Sequence, residues 1–163
     1  MIESALLHHH ESRQWLSFEH PVAVLHARKP TEVLPLLNEI EARVEAETLT
    51  AVGYVTYEAA SGLDASLPTH PPPDNALPLI SFALFREAHA VQAPTSAQAQ
   101  AHQQWRFSES AEDYQLAIHR IRERIKAGDV YQINHTTRLN GVLNDPWQLF
   151  TEAAAGAPFG AYL

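Results

Sequence analysis

The residues best suited to chemistry lie between Gly128 and Arg138, in the run Gly-Asp-Val-Tyr-Gln-Ile-Asn-His-Thr-Thr-Arg. Gln132 and Asn134 stand two residues apart, so on a strand they project from one face with Thr136 and Arg138. If that face is buried, each amide needs partners, and leaving one bond unmade costs about 1–3 kcal/mol. A buried face therefore implies a specific polar network or a ligand, whereas an exposed face asks nothing of these residues. The residues alone leave both readings open. Other groups carry less. His8, His9 and His10 are adjacent, share no helical face and are followed by no His-Glu-x-x-His pattern, so a solvated or partly buried trio is expected rather than a metal site. Tyr57 and Glu58 end a strand-like run, where a carboxylate could orient a ligand or pair with Arg; a merely polar residue at a strand exit is the commoner case. Glycine is too sparse for a phosphate-binding loop, and no spacing forces a Ser-His-Asp assignment.

The elements that must position these groups follow from periodicity. A helix is expected from the capping box at Ser110 and Asp113, with the apolar stripe Tyr114, Ala117, Ile118, Ile121 and Ile125. Basic residues toward its end suit the helix dipole, and Gly128 can take the left-handed closing position. The period then changes from helical to alternating, which predicts a strand over residues 130–139. Upstream, strands are predicted over 21–26, 49–57 and 79–85, the last apolar on both faces and hence central or covered on both sides. Gly53 inside the second marks a bulge or a close backbone approach. A helix capped by Thr31 carries Val33, Leu36, Leu37, Ile40 and Val44, with Pro35 making its first turn irregular. Residues 88–93 are expected to pair beside the 79–85 strand. Residues 61–78 read as a Pro-rich loop, 94–104 as a mobile connector, and 105–107 as briefly extended. Asp145 and Pro146 read as N-cap and first position of a short helix ended by Gly156. The fold class is α+β, with antiparallel sheets and flanking helices.

Composition sets broad limits. At 163 residues, 45 % apolar and 18 % charged, the chain is globular in composition and long enough for one ordinary domain or part of a larger one. Its formal charge of −8 comes from scattered acids and argues against nucleic acid or an anionic membrane as partner. There is no cysteine, hence no disulfide framework and no thiolate site. No apolar run approaches membrane-spanning length, and the first residues lack a basic leader, so a cytoplasmic location is the default expectation. Residues 158–163 are apolar and end without a polar tail, which leads us to expect a truncated chain, or one that packs on something further.

Three segments together resemble a known family. Residues 126–136 are similar to the aGDxYQvNxT segment of chorismate-utilising enzymes, through Gly128, Asp129, Tyr131, Gln132 and Asn134. Tyr before the Gln, and the Asn, are closer to the aminodeoxychorismate synthase component I group than to anthranilate synthase component I. Residues 52–64 resemble the GyxsYEaaxglD segment of the same group, especially of versions fused to an aminodeoxychorismate lyase, and residues 157–163 resemble the strand that follows. The resemblance implies the N-terminal part of a two-lobed enzyme with large antiparallel sheets, residues 1–104 forming an N-terminal lobe and 105–163 beginning the chorismate-binding domain. It implies amination of chorismate to 4-amino-4-deoxychorismate on the way to p-aminobenzoate and folate, with Mg²⁺ as cofactor and ammonia from a glutamine amidotransferase subunit. The lysine and the metal-holding glutamates of the family are matched by no segment here, so the resemblance assigns no catalytic residue and no metal ligand, and implies that the fragment alone is inactive. Relatives hold tryptophan between an LLES segment and an NPSPYM segment. Glu3 and Ser4 resemble the first, and Pro158 and Phe159 survive from the second. Ala155 and Gly160 replace the Asn and Met of that second segment, which points to a vestigial, structural pocket. The alternatives are a non-catalytic module that binds an aromatic ligand or regulates, and an anthranilate synthase relative.

Overall fold

The computed structural model describes residues 2–70, 76–95, 105–143, 145–154, 157 and 159–163. In chain order its elements are β1 (Ser4–His9), β2 (Gln14–Glu19), β3 (Ala23–Ala27), α1 (Pro30–Glu47), β4 (Thr50–Val55), α2 (Ala60–Leu63), β5 (Ile80–Phe85), β6 (His89–Val91), β7 (Arg106–Phe107), α3 (Ala111–Ala127), β8 (Leu139–Asn140), α4 (Pro146–Ala154) and β9 (Ala161–Tyr162). All strand pairs are antiparallel, so the expected α+β class with antiparallel sheets and helices holds. The chain divides into two units, Met1–Thr95 with Phe150–Leu163, and Ser96–Leu149. The sequence places its boundary at 104/105; the observed division returns the last residues of the chain to the first unit.

The first unit is layered around β5. That strand is the centre of a three-stranded sheet, β3-β5-β4, and its run Ile-Ser-Phe-Ala-Leu-Phe is covered on both sides. One face carries Ile80, Phe82 and Leu84 against the Val33, Leu36, Leu37 and Ile40 stripe of α1. The other carries Ala83 and Phe85, which with Val52 meet Ile2, Ala5 and Phe18. Gly53 is a close approach rather than a bulge. The β4–β5 register runs unbroken from Thr50↔Phe85 to Val55↔Ile80, and a Cβ at 53 would lie 2.0 Å from the Ser81 carbonyl oxygen.

α1 begins two residues earlier than Thr31 capping would require. Its N-cap is Lys29, Pro30 stands at the first helical position, and the Glu32 carboxylate accepts from the backbone N–H groups of Arg28 and Lys29 at 3.1 Å each. Pro35 leaves the helix continuous, since the buried stripe outweighs the loss of one backbone bond. Thr48 ends it in the left-handed region at φ 52°, a costly place for a β-branched residue.

The β1–β2 hairpin has no counterpart in the sequence reading. Ala5↔Phe18 and Leu7↔Leu16 point inward, and the Phe18 and Phe85 rings stand 5.5 Å apart across the two sheets. Its turn contains no Gly, Asn or Pro; Arg13 takes the left-handed conformation at φ 53°, so the usual turn signal is missing. β6 corrects another expectation. It pairs with β2 in the four-stranded sheet β6-β2-β1-β9, and not with β5, because β3 and β4 already occupy both edges of β5. β9 completes that sheet on β1, with Leu6↔Tyr162 and Leu7↔Ala161. On the far face of the sheet Trp15 is buried, its ring edge-on to Phe150 of α4 at 5.8 Å.

The second unit contains α3, capped as expected. The Ser110 hydroxyl oxygen accepts from the Asp113 N–H at 3.0 Å, and Gly128 closes the helix at φ 80°. The strand predicted over 130–139 does not form. Only Leu139–Asn140 is strand, paired with Arg106–Phe107, because no longer strand is present among the described residues of this unit to make a ladder. The α4 cap is as expected: the Asp145 carboxylate accepts from the N–H groups of Trp147 and Gln148. The Gly156 stop, Pro71 to Pro73 and residues 96–104 of the connector lie outside the described residues. Within the expected 61–78 loop, α2 occupies the start.

Candidate functional site

The signature residues divide into two groups by what they do. Gly128 donates its N–H to the Ile125 carbonyl and Asp129 donates to that of Arg124, both at 3.1 Å. These are the paired bonds of a Schellman closure, which needs a residue at positive φ and so favours glycine. The Asp129 carboxylate then accepts from the Arg124 guanidinium at 3.2 Å. Gly128 and Asp129 thus fix where the chain leaves α3. Beyond them residues 130–138 belong to no helix or strand and are mostly exposed. Tyr131 is 93 % exposed, and Gln132 and Asn134 are exposed side by side, the Gln132 Nε2 donating to Asn134 Oδ1 at 3.3 Å. Of the two readings left open above, the described structure takes the exposed one. The aligned amides present donors and acceptors to any polar group placed over them.

Sequence reasoning missed the neighbouring pair. The His135 ring nitrogen Nε2 lies 3.2 Å from both carboxylate oxygens of Glu109, and the ring stands 5.5 Å from Tyr114. Both side chains are mostly covered. Glu109 and Tyr114 line a largely apolar cavity of about 510 Å³, with Phe107, Ser110 and Thr137. Nothing in the sequence could have found the pair, since 26 residues separate its members and no periodicity links them. Ser110 is no free nucleophile, because its hydroxyl is engaged at Asp113.

Of the residues matched to the tryptophan segments, Glu3 and Ser4 stand apart from Phe159. Glu3 and Ser4 are exposed at the start of β1, Ser4 opposite Glu19. Phe159 lies toward the other end, since the His8 N–H donates to the Gly160 carbonyl and the Phe159 ring stands 4.7 Å from that of His10. At roughly 3.3 Å per strand residue, Ser4 and the level of Phe159 are on the order of 16 Å apart. Pro158 and Ala155 lie outside the described residues. The three adjacent histidines diverge: His8 lies 5.1 Å from the Trp15 ring, His9 bonds Ser12, and His10 meets Phe159. Tyr57 and Glu58 sit in a single 3-10 turn rather than at a strand end, and Tyr57 is exposed.

The family model described as chorismate binding enzyme matches residues 3–163, almost the whole chain. The chain belongs to that family. No curated protein and no solved structure matches. Among the described residues there is no group of three or more His, Cys, Asp or Glu side chains able to hold a metal ion. No helix among the described residues is long and apolar enough to cross a membrane.

Proposed function

We propose that this chain is the N-terminal part of an aminodeoxychorismate synthase component I, the polypeptide that aminates chorismate to 4-amino-4-deoxychorismate for p-aminobenzoate and folate. The observation that carries the reading is the segment Tyr131, Gln132, Ile133, Asn134, delivered by the closure at Gly128 and Asp129. Its Tyr and its Asn favour this group over anthranilate synthase, and the match over residues 3–163 supports the broader chorismate family. The run Val52 to Asp64 supports the same assignment. On this reading the lysine and glutamates that act on the ring come from sequence outside residues 1–163. Mg²⁺ would be held there, ammonia would arrive from a glutamine amidotransferase subunit, and the enzyme would work in the cytoplasm. The present chain supplies scaffold.

Genetic rescue tests the proposal. The polypeptide carrying this sequence is expected to restore growth of a p-aminobenzoate auxotroph and to leave a tryptophan auxotroph unable to grow. Rescue of the tryptophan auxotroph alone would overturn it in favour of an anthranilate synthase.

A further inference from the structure

One end of the space facing the three-stranded sheet of the first unit changes character within a single step. Val24, Ala83 and Val52 form a cross-strand row that is packed and apolar. The next row on the same face is His26, Ser81 and Tyr54, by the pairings His26↔Ser81 and Tyr54↔Ser81. This row opens into a cleft of about 590 Å³, whose wall also includes Arg28 and the apolar Ile2 and Pro78.

Two hydroxyls here have no stated purpose in the fold. Ser81 is only 5 % exposed, lines the cleft, and finds no hydrogen-bond partner among the described residues. Just past the end of β4, and off the cleft wall, the Thr56 hydroxyl oxygen is buried without a partner. Buried polar groups in folded proteins are nearly always satisfied, so an orphan at the wall of a cleft points to something that completes it. Arg28 is held at the rim by donation from Nη1 to the Ala76 carbonyl at 3.2 Å, and has no ion-pair partner among the described residues. The polar side chains on the wall are therefore the Arg28 guanidinium, the Ser81 and Tyr54 hydroxyls and the His26 imidazole, with no acidic side chain among them. That is a donor set in a chain whose formal charge is −8.

We propose that this cleft binds a small organic carboxylate, its anionic group held by Arg28 with Ser81 and Tyr54, and its apolar body against Ile2 and Pro78. A guanidinium fork matches a carboxylate in plane, and hydroxyl donors fill the remaining lone pairs. The site does not use Glu3, Ser4 or Phe159, and it does not depend on the synthase assignment.

Benzoate is the probe, with benzamide as its uncharged counterpart, titrated calorimetrically into the polypeptide carrying this sequence. Benzoate should bind saturably and benzamide at least about tenfold more weakly, the loss expected when a charge-assisted contact is replaced by a neutral one. Arg28→Gln should weaken benzoate by about tenfold or more and Ser81→Ala by several fold, each with an unchanged circular dichroism spectrum. Ser81→Ala removes only an oxygen, so it tests the site even if the Arg28 variant folds poorly. Absence of saturable binding, equal affinity for benzoate and benzamide, or folded variants that both bind like the parent would overturn the proposal.

Discussion

Replacing Gly53 by Ala asks whether β4 and β5 touch as closely as the register implies. The added Cβ would stand 2.0 Å from the Ser81 carbonyl oxygen and 2.7 Å from the Phe82 Cα, where ordinary contact begins at 3.4 Å. Both obstacles are backbone, so no side chain can swing aside. The strands must part by more than an ångström, which breaks the ladder bonds flanking position 53. Two such bonds are worth about 2 kcal/mol net, and forced overpacking adds about 1–3 kcal/mol. Removing glycine's freedom from the unfolded chain returns up to about 1 kcal/mol. The expected net loss is about 3 kcal/mol, a large share of the roughly 5–15 kcal/mol that holds a domain together. Urea unfolding reads it as a lower midpoint at constant slope. Gly128→Ala is the control, because nothing lies within 4 Å of its Cβ and only φ 80° opposes it; it should cost about 1–2 kcal/mol. A Gly53 variant within about 1 kcal/mol of the parent would show that the two strands are not in this register.

Three other outcomes are expected. Phe85→Ala empties the ring that meets Phe18 from a fully buried position and should cost about 3–5 kcal/mol in thermal unfolding; a loss under about 1 kcal/mol would mean the two sheets do not pack through it. Thr48→Gly should stabilise by about 0.5–1 kcal/mol, since it relieves a β-branched residue at φ 52°, and any destabilisation would refute that conformation. The Glu32 carboxyl is held below its ordinary value near 4.5 by donation from the Arg28 backbone N–H, then that of Lys29. A folded carboxyl that binds its proton less readily than the unfolded one adds stability that is present above the ordinary value and lost as pH falls through the lowered one. Glu32→Gln should therefore lose more against the parent at pH 7 than in acid, measured by chemical denaturation; an equal gap at both would remove Glu32 as the source.

Legibility tracked the locality of the cause. Ser110, Gly128 and Asp145 act within one helical turn, and each sits in the role its neighbours imply. The both-sided apolar run of β5 named its own central place. What stayed hidden depends on partners remote in sequence. The 130–139 alternation is real, yet a strand needs a ladder, and the alternation cannot say whether one is present. His89 to Val91 could not announce that both edges of β5 were taken. The β1–β2 turn was silent because Arg13, rather than glycine, bears the left-handed conformation. At the site, the helix exit was readable from Gly128, whereas the His135–Glu109 contact and the row His26, Ser81, Tyr54 exist only once the chain has folded back on itself.

The pairing of β9 with β1 sets a clock on biosynthesis. Leu7 and Ala161 must meet, yet at a ribosomal pace of roughly 5–20 residues per second their emergence is separated by about 8–30 seconds. Throughout that interval the nascent chain displays a leucine-bearing strand with one flank unoccupied, the kind of template to which a neighbouring nascent chain can add. The order of the strands thus leaves that edge of β1 open until Ala161 has emerged.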